Sequence, residues 1–180
     1  AQPRSGAEPG YDSVFEIGSI CKVLSAQVLA HAVRASRIDL QADVRQYLPG
    51  SFPNLAFEGK PIRVRHLVDT TSALPDNLPE SEVLLKGHPP EAHLEVMLLN
   101  RFIERPFGMS PSDRSGRRMD TVGYLSASSA ASPYLQGETM QSAGGLAYSA
   151  RDMGQFLKGV LSSPEPALTL ARRVLWGDVN

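Results

Sequence analysis

The amino-acid sequence predicts an α/β domain in which helix dominates and strands are few and short. Three observations carry this. Apolar residues recur at helical spacing in several separated runs, and only one short run, Val14-Phe15-Glu16-Ile17, reads as a strand. The 15 Gly and 14 Pro among 180 residues divide the rest into many turns. The length suffices for one domain with its own core, and 42% hydrophobic with 21% charged residues is a globular composition.

Residues 1–13 are rich in Gly, Pro and small side chains and predict a loose arm ahead of a single domain over 14–180. Val14–Ile17 is a strand or an extended lead-in that ends at Gly18. From Ser19 to about Ser36 the pattern is helical, with Val23, Leu24, Val28, Leu29 and Val33 on one stripe. A short segment, Asp39–Leu48, stops at Pro49-Gly50, and 51–61 reads as loop. Val64–Val68 predicts a short helix, followed by a proline-rich stretch over 75–90. Glu91–Glu104 predicts a second clear helix, apolar at Leu94, Met97, Leu98 and Phe102 and ended at Pro106. Residues 108–142 are Ser-, Gly- and Ala-rich and irregular in pattern. Ser149-x-x-Asp152 has the form of a capping box, with Asp in place of Glu or Gln, opening a helix to Ser163. A last helix is expected over Pro166–Trp176, and there is no internal repeat.

A net charge of −1 recruits neither nucleic acid nor an acidic membrane surface. No apolar run approaches the ~18 residues of a membrane span, and Ala1–Pro9 lacks the apolar core of a signal peptide. With one cysteine, Cys21, no intramolecular disulfide forms. His31, His88 and His93 lack metal-ligand spacing and no Asp/Glu cluster joins them, so no metal is expected.

Ser19-Ile20-Cys21-Lys22 opens the first strong helix. Residues three apart on a helix share a face, so the lysine amine can reach the serine hydroxyl. A serine is a poor nucleophile until a neighbour takes its proton, and a lysine can take it only when its own pKa is lowered by burial or nearby positive charge. Free N–H groups at the helix start can stabilise charge developing on a carbonyl oxygen. Acyl transfer by a serine–lysine pair needs no cofactor. By spacing alone the pair is weak evidence, because a serine N-cap followed by a solvated lysine has the same pattern. Cys21 points away from the Ser–Lys face and reads as a buried small residue. His66 reads as a hydrogen-bonded structural residue, Gly144-Gly145 as a tight turn near a cleft, and Arg114, Arg117 and Arg118 as a solvated cluster.

The surroundings add to the motif. Phe15-Glu16-Ile17-Gly18-Ser19-Ile20-Cys21-Lys22-Val23 resembles the nucleophile segment of class C β-lactamases, D-peptidases and related esterases. The likeness continues through Ile38-Asp39-Leu40 and Val44-x-x-Tyr47-Leu48-Pro49. It returns at Ile62–Val68 with Thr71-Ser72-Ala73-Leu74-Pro75, and at Arg105-Pro106-Phe107-Gly108-Met109. The last block is Ala143-Gly144-Gly145-Leu146 with Ser149–Met153 and Phe156-Leu157. The resemblance implies a serine β-lactamase/transpeptidase-like α/β fold, represented mainly by its helical region. It also implies Ser19 as acyl-accepting nucleophile and Lys22 as base. The expected partner is a small-molecule substrate, a β-lactam, a D-amino-acid peptide or an ester. The resemblance implies an exported or periplasmic location.

Three departures accompany the resemblance. The family's Tyr-x-Asn element belongs between Leu74-Pro75 and Gly108-Met109, where no Tyr occurs; Tyr124, Tyr134 and Tyr148 do not match it. Its Lys-Thr-Gly or His-x-Gly strand is not found before Asn180, so the C-terminal sheet strands are expected to be missing. Thr70 and Ala73 stand where relatives often have His and Gly; if that Gly serves a positive-φ turn, Ala73 costs stability. The alternative function is therefore a degenerate or truncated member with a binding or assembly role or no activity, including self-association through an apolar face left uncovered.

Overall fold

The computed structural model describes residues 2–3, 8–74, 98–112, 121–122, 124–126, 129–130 and 144–173. About half of it is helical and the strands are short, as the sequence predicts. Among the described residues the strands form four two-stranded antiparallel pairs: β1 (Gln2–Pro3) with β5 (Thr121–Val122), β2 (Val14–Glu16) with β8 (Ala147–Ser149), β3 (Ala56–Phe57) with β4 (Lys60–Pro61), and β6 (Tyr124–Ser126) with β7 (Ser129–Ala130).

The pair that positions the nucleophile segment is β2–β8, in register Val14↔Ser149, Phe15↔Tyr148 and Glu16↔Ala147. Gly18 then takes φ +53, a left-handed conformation open to glycine, and turns the chain from strand to helix. A single 3₁₀ turn, Gly18–Ile20, leads into α1 (Cys21–Arg34). This helix buries Cys21, Leu24, Gln27 and Ala30, while Val23, expected on the apolar stripe, is exposed. Two faces of α1 are in use. Cys21 and Leu24 enter the main core, and Ala26, Leu29, Ala30 and Val33 line a groove shared with Leu40, Val68, Leu170 and Ala171.

The predicted helix Val64–Val68 forms with those bounds (α2). It is followed by Thr70 at φ 60 and Ala73 at φ 57, both in the left-handed region where a Cβ is strained. The condition attached to Ala73 in the sequence is therefore met. Ala73→Gly is expected to raise stability by about 1 kcal/mol, a gain of roughly 2–4 °C in a thermal melt. The β-branched Ala73→Val should lower it.

Several boundaries differ from expectation. The loop over 51–61 contains the β3–β4 hairpin, whose turn residues Glu58 (φ 48) and Gly59 (φ 75) both take the positive φ of a type I′ turn. Glu in place of the usual Asn or Asp hid it. Pro106 does not end its helix. The chain widens into a π-helical turn over Asn100–Glu104 and continues as α3 (Arg105–Phe107), which accommodates a proline that cannot donate to the preceding turn. Gly108 at φ 67 is the actual stop: Met109 N bonds Glu104 O at 2.8 Å and Gly108 N bonds Arg105 O at 3.3 Å, a Schellman closure. Residues 91–97 of that predicted helix lie outside the described residues. Within the irregular passage over 108–142, β5, β6 and β7 form.

The arm read as loose is tied down at its inner end. Arg151 pairs with Asp12, and its N–H donates to Tyr11 O at 3.0 Å. Ser149 and Asp152 form the expected capping box: Asp152 N donates to Ser149 Oγ at 3.1 Å and Ser149 N to Asp152 Oδ2 at 3.3 Å. They open α4 (Ala150–Ser162). The last helix, α5 (Pro166–Ala171), stops before the expected Trp176: Arg173 N bonds Leu170 O at 3.0 Å, three residues back, in a tightened closing turn, and residues 174–176 lie outside the described residues.

Among the described residues the main core cluster brings together Cys21 and Leu24 of α1, Leu99 and Ile103 at the π turn, Leu146 and Tyr148 at β8 and Phe156 of α4, and Val14 and Ala147 form a second, small cluster. In the described part of that expected helix, residues 98–104, the fully buried apolar residues are Leu99 and Ile103, one step beyond the expected Leu98 and Phe102, which are half-buried. No helix among the described residues is long and apolar enough to cross a membrane.

Candidate active site

Ser19 lies in the 3₁₀ turn and Lys22 in the first turn of α1, and Lys22 Nζ donates to Ser19 Oγ at 3.0 Å. That is within reach for proton transfer in either direction. Both side chains are exposed. The turn is held from behind by Leu146: its carbonyl accepts from Ile17 N at 3.1 Å, and its N–H donates to Cys21 Sγ at 3.4 Å. Cys21 is fully buried and faces away from the pair, as its helical position implies. Gly144 and Gly145, expected as a tight turn, lie in a π-helical turn directly before Leu146, with Gly144 buried.

Sequence reasoning missed Leu146 as a support, because it acts through backbone atoms. It also missed Glu104. This side chain is 1% exposed, and three donors converge on it: Tyr148 Oη at 2.7 Å and Ser112 N at 2.8 Å on Oε1, and Asn100 Nδ2 at 3.2 Å on Oε2. Nothing in the helical periodicity marks a buried carboxyl at this position. Tyr148 is thereby committed to the core.

His66 has the structural role expected of it: its Nδ1 accepts from Arg63 N at 3.2 Å and caps α2. His31 stacks on Phe102 with ring centroids 4.4 Å apart. Burial holds its pKa below the ordinary 6.5, opposed by the Glu165 carboxylate. The unfolded chain thus binds this proton more readily than the folded one. Stability is fully present above pH 6.5 and is lost as pH falls through the lower folded value. Denaturant midpoints between pH 7.5 and 5 should fall less steeply in His31→Phe than in the parent; equal slopes would exclude this contribution.

No group of three or more His, Cys, Asp or Glu that could hold a metal ion occurs among the described residues. His88, His93, Arg114, Arg117, Arg118 and Tyr134 lie outside them.

A helix start bearing a Ser-x-x-Lys pair, laid against a short antiparallel ladder within a mainly helical region, defines the class: the helical part of a β-lactamase/transpeptidase-like fold. A model of the Beta-lactamase family matches residues 1–178, and the chain belongs to that family. Among solved structures it is similar to a class C β-lactamase from Rhodobacter sphaeroides (20% identity, TM-score 0.69, covering 93% of this chain and 58% of that one). It is also similar to a β-lactamase/D-alanine carboxypeptidase from Yersinia pestis in complex with citrate (18%, 0.68, 97% and 62%). The octameric penicillin-binding protein homologue from Pyrococcus abyssi is a third (17%, 0.69, 96% and 52%). The chain thus spans between half and two thirds of these relatives. No curated protein matches the sequence.

Proposed function

We propose that this chain carries the nucleophile and base of a serine acyl-hydrolase, in a single domain over 14–180. Ser19 Oγ attacks the carbonyl carbon of a β-lactam, D-amino-acid peptide or ester, while its proton passes to Lys22 Nζ. The amine or alcohol leaves with a proton as the carbonyl re-forms, and water then hydrolyses the Ser19 ester. The observation that carries this reading is the 3.0 Å Lys22–Ser19 contact at a helix start. Family membership and neighbours described as β-lactamases and a D-alanine carboxypeptidase support it.

One observation favours a second reading, a degenerate member with a binding or assembly role. Ser19 and Lys22 are both exposed, so the pair is not enclosed in a water-excluding pocket of the kind that would activate a buried nucleophile. The test is intact-protein mass after exposure to a penicillin and, separately, to a serine-reactive phosphonate. A single adduct mapping to Ser19 is the expected result. Folded protein that takes up neither reagent establishes the second reading.

A further inference from the structure

We propose that Glu104 and Tyr148 are positioning residues for the Ser19 turn, setting the register of β8 and through it the placement of the nucleophile. The catalytic consequence rests on the function proposed above; the positional one does not.

The β2–β8 ladder has only three residue pairs. So short a two-stranded ladder is marginal by itself, and a slip of one residue would turn every β8 side chain to the opposite face. What defines its register is polar and lies on the far side of β8 from β2. Tyr148 Oη donates to buried Glu104 Oε1 at 2.7 Å, so residue 148 must be the one that faces inward. The same oxygen accepts from Ser112 N at 2.8 Å. Ser112 Oγ in turn accepts from Ala147 N at 3.0 Å and donates to Ala147 O at 3.2 Å, acting as a one-residue substitute for a neighbouring strand. One carboxyl therefore holds both the side chain of residue 148 and, through Ser112, the backbone of residue 147.

From there the path to the nucleophile is two bonds long. Leu146, the residue immediately before β8, bonds Ile17 N through its carbonyl and Cys21 Sγ through its N–H. These contacts bracket Gly18-Ser19-Ile20 on both sides. Moving β8 by a fraction of a residue moves Leu146, and with it the turn that sets the direction of Ser19 Oγ. An apolar pair at 104 and 148 would fill the space but would not discriminate between registers.

The experiment compares the parent with Tyr148→Phe and Glu104→Gln, in the full chain and well below each variant's unfolding transition. Tyr148→Phe removes one oxygen atom and keeps the test available if Glu104→Gln does not fold. Amide hydrogen exchange at Ile17 and Leu146 is the first readout, with Ala35 and Asp69 as references bonded elsewhere, to His31 O and Arg65 O. We expect exchange at Ile17 and Leu146 to rise at least about tenfold relative to the references. Equal acceleration at all four amides would mean lost stability alone, and no change would mean no positional role; either overturns the proposal. The second readout is phosphonate labelling of Ser19. We expect a maximal rate lowered about tenfold with the half-saturating concentration unchanged. If the parent itself is not labelled, the proposed hydrolase function fails, while the exchange readout still decides the positioning role.

Discussion

Replacing Ser19 by alanine is expected to abolish covalent labelling by penicillin and by phosphonate while leaving the fold intact. The side chain is exposed and its described side-chain partner is Lys22, so its removal should change stability by no more than about 0.5 kcal/mol. Lys22→Ala should slow labelling by about 10²–10⁴-fold, the usual worth of a positioned general base. Lys22→Arg is the sharper variant. Arginine keeps the positive charge and can still donate to Ser19 Oγ, yet it does not give up its proton and so cannot act as a base. Labelling lost in Lys22→Arg assigns Lys22 proton transfer; labelling retained would reduce its role to electrostatics. Time courses of intact mass, with far-UV circular dichroism to confirm folding, distinguish these results. An adduct that persists in Ser19→Ala would move the nucleophile elsewhere.

Glu104→Leu is expected to cost about 3–5 kcal/mol, much of the stability of an ordinary domain. The leucine fills a similar volume but accepts nothing. The Tyr148 hydroxyl and the Ser112 N–H lose their buried acceptor, and Asn100, half-buried, loses a weaker bond at 3.2 Å. Adding Tyr148→Phe should restore about 1–3 kcal/mol, because the stranded hydroxyl disappears with its acceptor. Urea denaturation of the parent, the two single variants and the double variant measures this coupling. A Glu104→Leu protein as stable as the parent would show that the carboxyl does not hold the core together.

The legible parts of the fold were those with strong local signals. Val64–Val68 and the Ser149–Asp152 capping box formed as expected because their chemistry is complete within a few residues. Pro106 misled, since a proline's effect depends on whether the turn before it can widen, and here a π turn did. The β3–β4 hairpin was missed because Glu58 carries no sign that it will accept positive φ. On α1 the periodicity marked a buried stripe but misplaced Val23, because the core meets this helix along Cys21 and Leu24 and a separate groove takes Leu29 and Val33.

The amino-acid sequence alone determined the family, the Ser19–Lys22 spacing, and the inward placement of Cys21. Helical geometry links residues three apart whatever surrounds them. Only the tertiary structure decided that Leu146 braces the nucleophile turn, that Glu104 and Tyr148 meet in the core, and that Lys22 is exposed. Contacts between residues 104 and 148, or 146 and 17, depend on how distant segments pack. The environment of an amine depends on every element that does or does not cover it, and no local pattern encodes that.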